Sequence, residues 1–305
     1  MTHFLDIADH RADWLSHVLE VSHDLLADRR AGPPDEPVLT GRTLAMVFEK
    51  PSLRTRVSFE QAMIELGGSA IVLQQHEVGL GQRESVADVA RVLGGMVDGI
   101  MARVFEHAKL QEMAAHSPVP VINALSDASH PCQALADVMT IQQAFGRDLS
   151  DRTVVFVGDG NNVAASLAQL CARLGIRFVL SSPPAHQMDL RTVVTDPDEA
   201  RLINWVQDPA EAVAQADVIY ADTFVSMGQE EQKAARLAEF AEYQVNEALV
   251  ARAPQHAVVL HCLPAYRDVE ITEAVIDSPQ SRIFPQAHNR LHAQKGLLAV
   301  LLAGR

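Results

Sequence analysis

The feature that most constrains this chain is an alternation, sustained over most of its length, of short apolar β-rich runs with helix-patterned segments. Thr43–Phe48, Ala70–Leu73, Gly99–Val104 and Pro120–Asn123 read as strands. Between them Leu53–Leu66 (ended by Gly67-Gly68), Val86–Met96 and Lys109–Ala115 read as helices. Short, continuously apolar runs suit strands buried on both faces, and strand–helix alternation builds a parallel sheet covered by helices on both sides. The helix Pro131–Phe145 leads to a polar stretch, Gly146–Arg152, and the pattern then restarts with the strand Thr153–Val157 and the helix Val163–Leu174. Arg177–Leu180, Val218–Ala221 and Val258–His261 are further strands, and Gln286–Leu302 is a closing amphipathic helix. A chain of 305 residues, 48% of them hydrophobic, is long enough for two cores. The expected fold is therefore α/β: two doubly wound parallel-sheet domains joined by helices, 1–146 and 147–305, with the C-terminal helix packing back on the first. In such sheets ligands bind at the carboxyl ends of the strands.

Charge narrows the function classes. Lys+Arg number 25 and Asp+Glu 39, so the formal charge is 25 − 39 = −14. An acidic chain of this kind repels nucleic acid and anionic membrane surfaces, so neither is an expected partner. Any local cluster of arginines is then informative, because it stands against the global field. No apolar stretch approaches the roughly 20 residues needed to span a bilayer. The N-terminus, MTHFLDIADHRADW, carries acids and no long apolar run, which does not suit a secretory signal. The three cysteines, Cys132, Cys171 and Cys262, are widely spaced, so free thiols in a reducing cytoplasm are expected. Neither C-x-x-C nor H-E-x-x-H occurs, so no metal site is expected.

Five stretches carry chemistry, and each also has a plainer reading. Lys50-Pro51-Ser52-Leu53-Arg54-Thr55-Arg56 follows a strand and opens a helix. Free N–H groups at a helix start, two hydroxyls and the guanidinium fork of Arg54 suit a phosphate; the plain reading is a helix capped by Ser52. His130-Pro131-Cys132-Gln133 places His130 and Gln133 on one helical face, where both can address a carbonyl or amide; a His at a helix start is otherwise a capping or packing residue. Gly158-Asp159-Gly160-Asn161-Asn162 lacks the full G-x-G-x-x-G spacing, and its Gly and Asn also suit an ordinary turn. Asp222-Thr223-Phe224-Val225-Ser226-Met227-Gly228 puts a carboxylate at a strand end, where it can hold an ammonium group or cap the following helix. His261-Cys262-Leu263-Pro264 ends a buried strand with a thiol that either lines the ligand crevice or packs in the core.

Together, in this order and over nearly the whole chain to Asn289-Arg290-Leu291-His292, these stretches resemble the aspartate/ornithine carbamoyltransferase family, and within it the ornithine branch. The resemblance implies transfer of the carbamoyl group of carbamoyl phosphate to the δ-amine of L-ornithine, giving citrulline and phosphate, as in arginine biosynthesis. It implies no cofactor and a homotrimer or an assembly of trimers. Ser52, Leu53, Arg54, Thr55 and Arg103 would hold the phosphate end, and His130, Gln133 and Arg290 the carbamoyl end. Asn162, Asp222, Ser226, Met227, Cys262 and Leu263 would form the ornithine site, with Arg103, His130 and Cys262 as catalytic residues. The chain departs from the family pattern at Leu53, where Thr is usual, and at Gly79, where Gln is usual, with Gln82 the nearest amide. Gln286 and His288 also stand where acids are usual.

The implied chemistry needs a neutral δ-amine, whereas a free lysine-like amine titrates at about 10.4. It also needs donors for the oxyanion of the tetrahedral intermediate, a role for His130, Arg103 and Thr55. The rival readings are a relative acting on an acylated ornithine, putrescine or aspartate, a silent ligand-binding homologue, and a dehydrogenase built on Gly158–Asn162. The Asp222…Ser226-Met227-Gly228 stretch opposes the first, the retained Arg54, Arg103, His130 and Cys262 the second, and the broken glycine fingerprint the third.

Overall fold

The computed structural model describes residues 2–31, 37–189, 193–194, 196–225 and 230–304. The chain divides into two compact units, Met1–Met139 with His288–Arg305, and Thr140–Ala287. The sequence places the division at 146/147, after the polar stretch. The compact units part nearby, within the helix Pro131–Phe145, and residues 288–305 belong to the first unit.

The first unit is built on four parallel strands: β1 Thr43–Phe48, β2 Ser69–Gln74, β3 Gly99–Arg103 and β4 Val121–Leu125. Their order in the sheet is β2-β1-β3-β4. β1 and β3 are central and buried on both faces, which is why their sequences run apolar without alternation. β2 is an edge strand of alternating exposure, and its outer side chain Ile71 is 49% exposed. The helices α1 Ala12–Ala31, α2 Leu53–Glu65, α3 Val86–Gly94 and α4 His107–His116 cover this sheet. α5, Pro131–Phe145, leaves it.

The second unit holds five parallel strands: β5 Thr153–Val157, β6 Arg177–Ser181, β7 Ile203–Trp205, β8 Val218–Ala221 and β9 Val258–His261. Their order is β7-β6-β5-β8-β9. The helix α6, Asn162–Arg173, follows β5. Its core joins Val155, Val157, Ile219, Ala221 and Val259 to Phe224, Phe240 and Ile271.

Topology decides where chemistry can sit. In the first sheet the chain runs from β1 outward to β2, then crosses back to β3 on the other side of β1. In the second it runs β5 to β6 to β7, then crosses back to β8. Each sheet therefore has one switch point, between β1 and β3 and between β5 and β8. There the loops leave in opposite directions and open a crevice at the strand ends.

The last helix, α7 Ile283–Ala303, returns to the first unit, as the sequence leads one to expect. Lys295 Nζ bonds Glu65 Oε2 of α2 at 2.9 Å, and Leu302 lies against Gly99 of β3. At Gly296 the helix meets α1 so closely that a Cβ would lie 2.0 Å from Ser22 Oγ and 2.8 Å from both Ser22 N and Val18 O. Two of these three atoms are backbone, so the clash has no cheap relief. Gly296→Ala should therefore lower the denaturant midpoint of the protein, by a cost of about 1–3 kcal/mol. An unchanged midpoint would show that the two helices do not pack at this distance.

Candidate active site

The β1–β3 switch point of the first unit gathers positive charge. Phe48 of β1 pairs with Arg103 of β3, so the residues that follow β1 begin beside the Arg103 side chain. The register between β3 and β4 slips by one residue at Arg103, a local irregularity of the kind that re-aims a side chain. After β1, Ser52 caps α2: its hydroxyl accepts from Thr55 N at 3.3 Å. The capped-helix reading and the phosphate reading are compatible here, because one capped N–H leaves the other N–H groups of the first turn aimed outward. Leu53 is 74% exposed, so this departure from the family pattern removes a hydroxyl without filling the space with a buried side chain.

A line of buried polar side chains runs from this helix start. Arg290 of α7 donates to Thr55 Oγ1 at 3.4 Å and to Gln133 Oε1 at 2.7 Å, and Gln133 Nε2 donates to Asp137 Oδ1 at 2.8 Å. Thr55, Arg290, Gln133 and Asp137 are all buried. His130 stands at the entrance to α5. The loop before it is pinned by the buried Asn123, whose amide donates to Ser129 Oγ at 2.9 Å and to Leu5 O at 2.9 Å.

Electrostatics set the state of His130. Burial is the largest influence, followed by the charges of Arg290, Arg103, Lys50 and Arg54, and together they hold its imidazole well below the usual histidine range. His130 is therefore neutral at physiological pH and offers one N–H, with four cations around it. Lys50, quoted in the first motif but given no role from sequence, is part of this cluster. Its ammonium lies 4.7 Å from the centre of the Phe105 ring. Burial and then Arg103 lower its pKa to about 8, against the opposing pull of Asp127 and Glu49. So many like charges brought together in an acidic protein suit a multiply charged anion.

At the β5–β8 switch point of the second unit the sign is reversed. Val157 pairs with Ala221, and Ala221 pairs with His261, so Asp222 and Cys262 emerge side by side. Cys262 Sγ donates to Asp222 Oδ1 at 3.0 Å, and Thr223 N donates to the same oxygen at 2.8 Å. Asn161 Nδ2 donates to Asp222 Oδ2 at 2.8 Å. The neighbour of Asn162, Asn161, is thus the amide that meets the Asp222 carboxylate. Asn161 is the N-cap of α6, its Oδ1 accepting from Val163 N at 2.9 Å and Ala164 N at 3.1 Å, while Asn162 is the first residue of the helix.

Cys262 is partly exposed, whereas Cys132 and Cys171 are buried; all three are free. Burial pushes the Cys132 thiol up to about 12, so that thiol is inert. The turn after Cys262 is held from behind. Leu263 N donates to His261 Nδ1 at 2.8 Å, so Nε2 carries the proton and donates to the buried Glu270 Oε1 at 3.1 Å. This bond holds Leu263 at φ 59°, a conformation that a branched residue adopts only when its surroundings impose it. Asp222, His261 and Cys262 place one donor atom each within 4.8 Å of one another. Both ring nitrogens of His261 are already committed, so the set lacks the donors of a resident zinc site. Ser226 and Met227, expected at the same site, lie outside the described residues.

The loop that suggested a dinucleotide site is occupied differently. A Cβ on Gly160 would lie 2.6 Å from Met188 N and 2.8 Å from His186 O, so the glycine is there for close packing of a neighbouring segment. The Asp159 carboxylate takes the guanidinium of Arg236 at 2.6 Å. A negative side chain at this point would repel a pyrophosphate.

Residues 2–143 match the model of the aspartate/ornithine carbamoyltransferase carbamoyl-P binding domain, and residues 150–301 that of the family's Asp/Orn binding domain. The chain belongs to the aspartate/ornithine carbamoyltransferase family. It is 47% identical to the ornithine carbamoyltransferase of Methanopyrus kandleri, over 98% of this chain and 97% of that one. It is 50% identical to that of Bacillus subtilis, over 88% and 85%. The solved ornithine carbamoyltransferase of Pyrococcus furiosus superposes with a TM-score of 0.95 at 44% identity, covering 99% of this chain and 97% of that one.

The charge cluster generates a pH prediction. With Lys50 titrating at about 8, the affinity for a phosphate dianion should fall as the pH rises through 8, by up to about tenfold per unit, because the protonated cation is the binding form. Lys50→Arg, which stays charged, should flatten that dependence. Calorimetric titration with inorganic phosphate between pH 7 and about 9.5 checks this. Identical pH profiles for the two proteins would remove Lys50 from the site.

Proposed function

We propose that this chain is an ornithine carbamoyltransferase, moving the carbamoyl group of carbamoyl phosphate to the δ-amine of L-ornithine. The observation that carries the amino-acid half is the Asp222 carboxylate. It is buried, and the donors that meet it from Asn161, Thr223 and Cys262 are all neutral. None of these three partners is a cation, so none of them competes with a free α-ammonium group for this carboxylate. An acylated ornithine lacks that charge, and putrescine lacks the α-carboxylate that goes with it.

In this reading the phosphate of carbamoyl phosphate sits on Arg54, Arg103 and the first turn of α2, with Lys50 adding charge. The carbamoyl oxygen faces His130, Thr55 and Arg103. The neutral δ-amine attacks the carbamoyl carbon, and a C–N bond forms. As charge grows on the oxygen, neutral His130 stabilises it by donating its N–H, and the arginines by their charge. The C–O bond to phosphate then breaks. Phosphate leaves on its cations, and the amine proton goes to it or to solvent. The Cys262 S–H is directed at Asp222, so its sulfur faces the amine as an acceptor and positions it. No step calls for a cofactor.

The same reading includes a homotrimer or an assembly of trimers. Leu53, Val57 and Ile64 lie along one face of α2 and are 74%, 55% and 63% exposed, an apolar stripe that a second copy of the chain would cover. Three free thiols support a reducing, cytoplasmic setting. Among the described residues no helix is long and apolar enough to cross a membrane.

The test is product formation from carbamoyl phosphate with ornithine, N-acetylornithine, putrescine and aspartate in parallel, without NAD(H). Citrulline from ornithine should dominate. Asp222→Asn should raise the ornithine KM by about tenfold or more, the scale of one charged hydrogen bond, and spare carbamoyl phosphate binding. Equal use of N-acetylornithine by the unmodified protein would defeat this assignment.

A further inference from the structure

Two residues outside the substrate contacts converge on the segment that carries Asp222. Arg236 lies in the short helix Lys233–Glu239 and is 6% exposed. Its Nε donates to the backbone carbonyl of Phe224 at 2.6 Å, and its NH2 to Asp159 Oδ2 at 2.6 Å. Its guanidinium also lies 5.3 Å from the centre of the Phe240 ring, which stacks on Phe224. One side chain thus ties the loop after β5 to the segment after β8.

The spacing gives this tie its consequence. Asp159 stands two residues before Asn161, and Phe224 stands two residues after Asp222. The Asn161–Asp222 bond at 2.8 Å therefore runs beside the Asp159–Arg236–Phe224 link, across the same pair of strand ends. The carboxylate of Asp159 is fixed in turn by His186, whose Nδ1 lies 3.5 Å from Asp159 Oδ1 and whose Nε2 lies 2.5 Å from Glu239 Oε2. Gly160 N donates to His186 O at 2.9 Å, so the loop is braced on its far side as well. A planar guanidinium reaches a carbonyl and a carboxylate at once from fixed positions; an ammonium reaches one.

We propose that Arg236, with Asp159, is a positioning residue for substrate selection: it fixes Asp222 where the ammonium group of the amino-acid substrate is read. Arg236 touches no substrate. It acts by holding the β5 and β8 loops in register, so that Asn161 and Cys262 both meet the Asp222 carboxylate. This rests on the proposed role of Asp222.

The experiment measures kcat, ornithine KM, carbamoyl phosphate KM and the unfolding midpoint for the full chain carrying Arg236→Met, Arg236→Lys, Asp159→Asn and Asp222→Asn. Arg236→Met should raise the ornithine KM by about tenfold to a hundredfold and leave the carbamoyl phosphate KM within about twofold, the loss expected for charged hydrogen bonds in one half of the site. Arg236→Lys, retaining charge for Asp159 but only one of the two contacts, should fall between. Asp159→Asn, close to isosteric, should also raise the ornithine KM, and it reads the same link if Arg236→Met fails to fold. A purely structural Arg236 would lower the midpoint and the active fraction with an unchanged ornithine KM. That result in any folded Arg236 variant, or in Asp159→Asn if none folds, overturns the proposal. If Asp222→Asn itself leaves the ornithine KM unchanged, the substrate reading fails first. If Asp222→Asn raises it and the Arg236 and Asp159 variants do not, only the positioning role fails.

Discussion

The first unit is organised around positive charge that is partly or fully buried. Lys50, Arg54, Arg103 and Arg290 surround one imidazole in a chain whose formal charge is −14. Such a cluster is destabilising in isolation: each cation loses hydration and repels its neighbours. Nearly every other feature of the unit compensates for it. Arg290 is satisfied by Thr55 and Gln133, and Gln133 by Asp137. The imidazole stays neutral, and Lys50 gives up part of its charge, titrating at about 8. In the proposed reading a bound dianion would complete the compensation. The free energy held in the cluster would then be returned as affinity for phosphate, and as stabilisation of the charge that develops when phosphate leaves.

The second unit solves the opposite problem with the same architecture. Its switch point presents one carboxylate to three neutral donors, and in the proposed reading an ammonium group would supply the counter-charge. Two sheets of related topology thus present sites of opposite sign. What differs is not the fold but the side chains beyond each strand: after β1, Glu49 is taken by Lys109 and is followed by Lys50 and the Ser52 cap, whereas β8 is followed by Asp222. The His261–Glu270 pair behind Cys262 and the Arg236–Asp159 pair beside Asp222 are supports of one kind, buried polar groups that hold a strand end in a single conformation.

Much of this architecture was legible in the sequence, for a physical reason. Thr43–Phe48, Thr153–Val157, Val218–Ala221 and Val258–His261 coincide with observed strands, because a parallel strand buried on both faces is apolar throughout and ends where the apolar run ends, as holds even for β9 at the sheet edge. Ile203–Trp205 was not seen, since three residues at a sheet edge leave no periodicity to read. The limits of β2 were underestimated for a similar reason: Ser69 and Gln74 are polar residues of an edge strand. The domain division lies inside a helix, where composition does not change. Ser52, Arg54, Thr55, His130, Asp222 and Cys262 could be singled out because each follows a strand or opens a helix, whereas Arg103, the last residue of β3, entered only through the family resemblance. The second role of Asn161, bonding Asp222 while it caps α6, needed the fold to bring two strand ends together. Arg236 carried no signal at all, because its partners Asp159 and Phe224 are distant in sequence.

The central claim is that burial, and then the surrounding cations, keep His130 neutral and ready to accept an anion beside it. Selectively labelled histidine, followed by NMR against pH with a His130→Gln protein to assign the signal, tests it directly. His130 should remain neutral through the range in which an ordinary histidine titrates, about pH 6.5. Saturating inorganic phosphate should move its titration upward, since a bound dianion offsets the surrounding cations. A His130 that titrates near 6.5 and ignores phosphate would contradict the account.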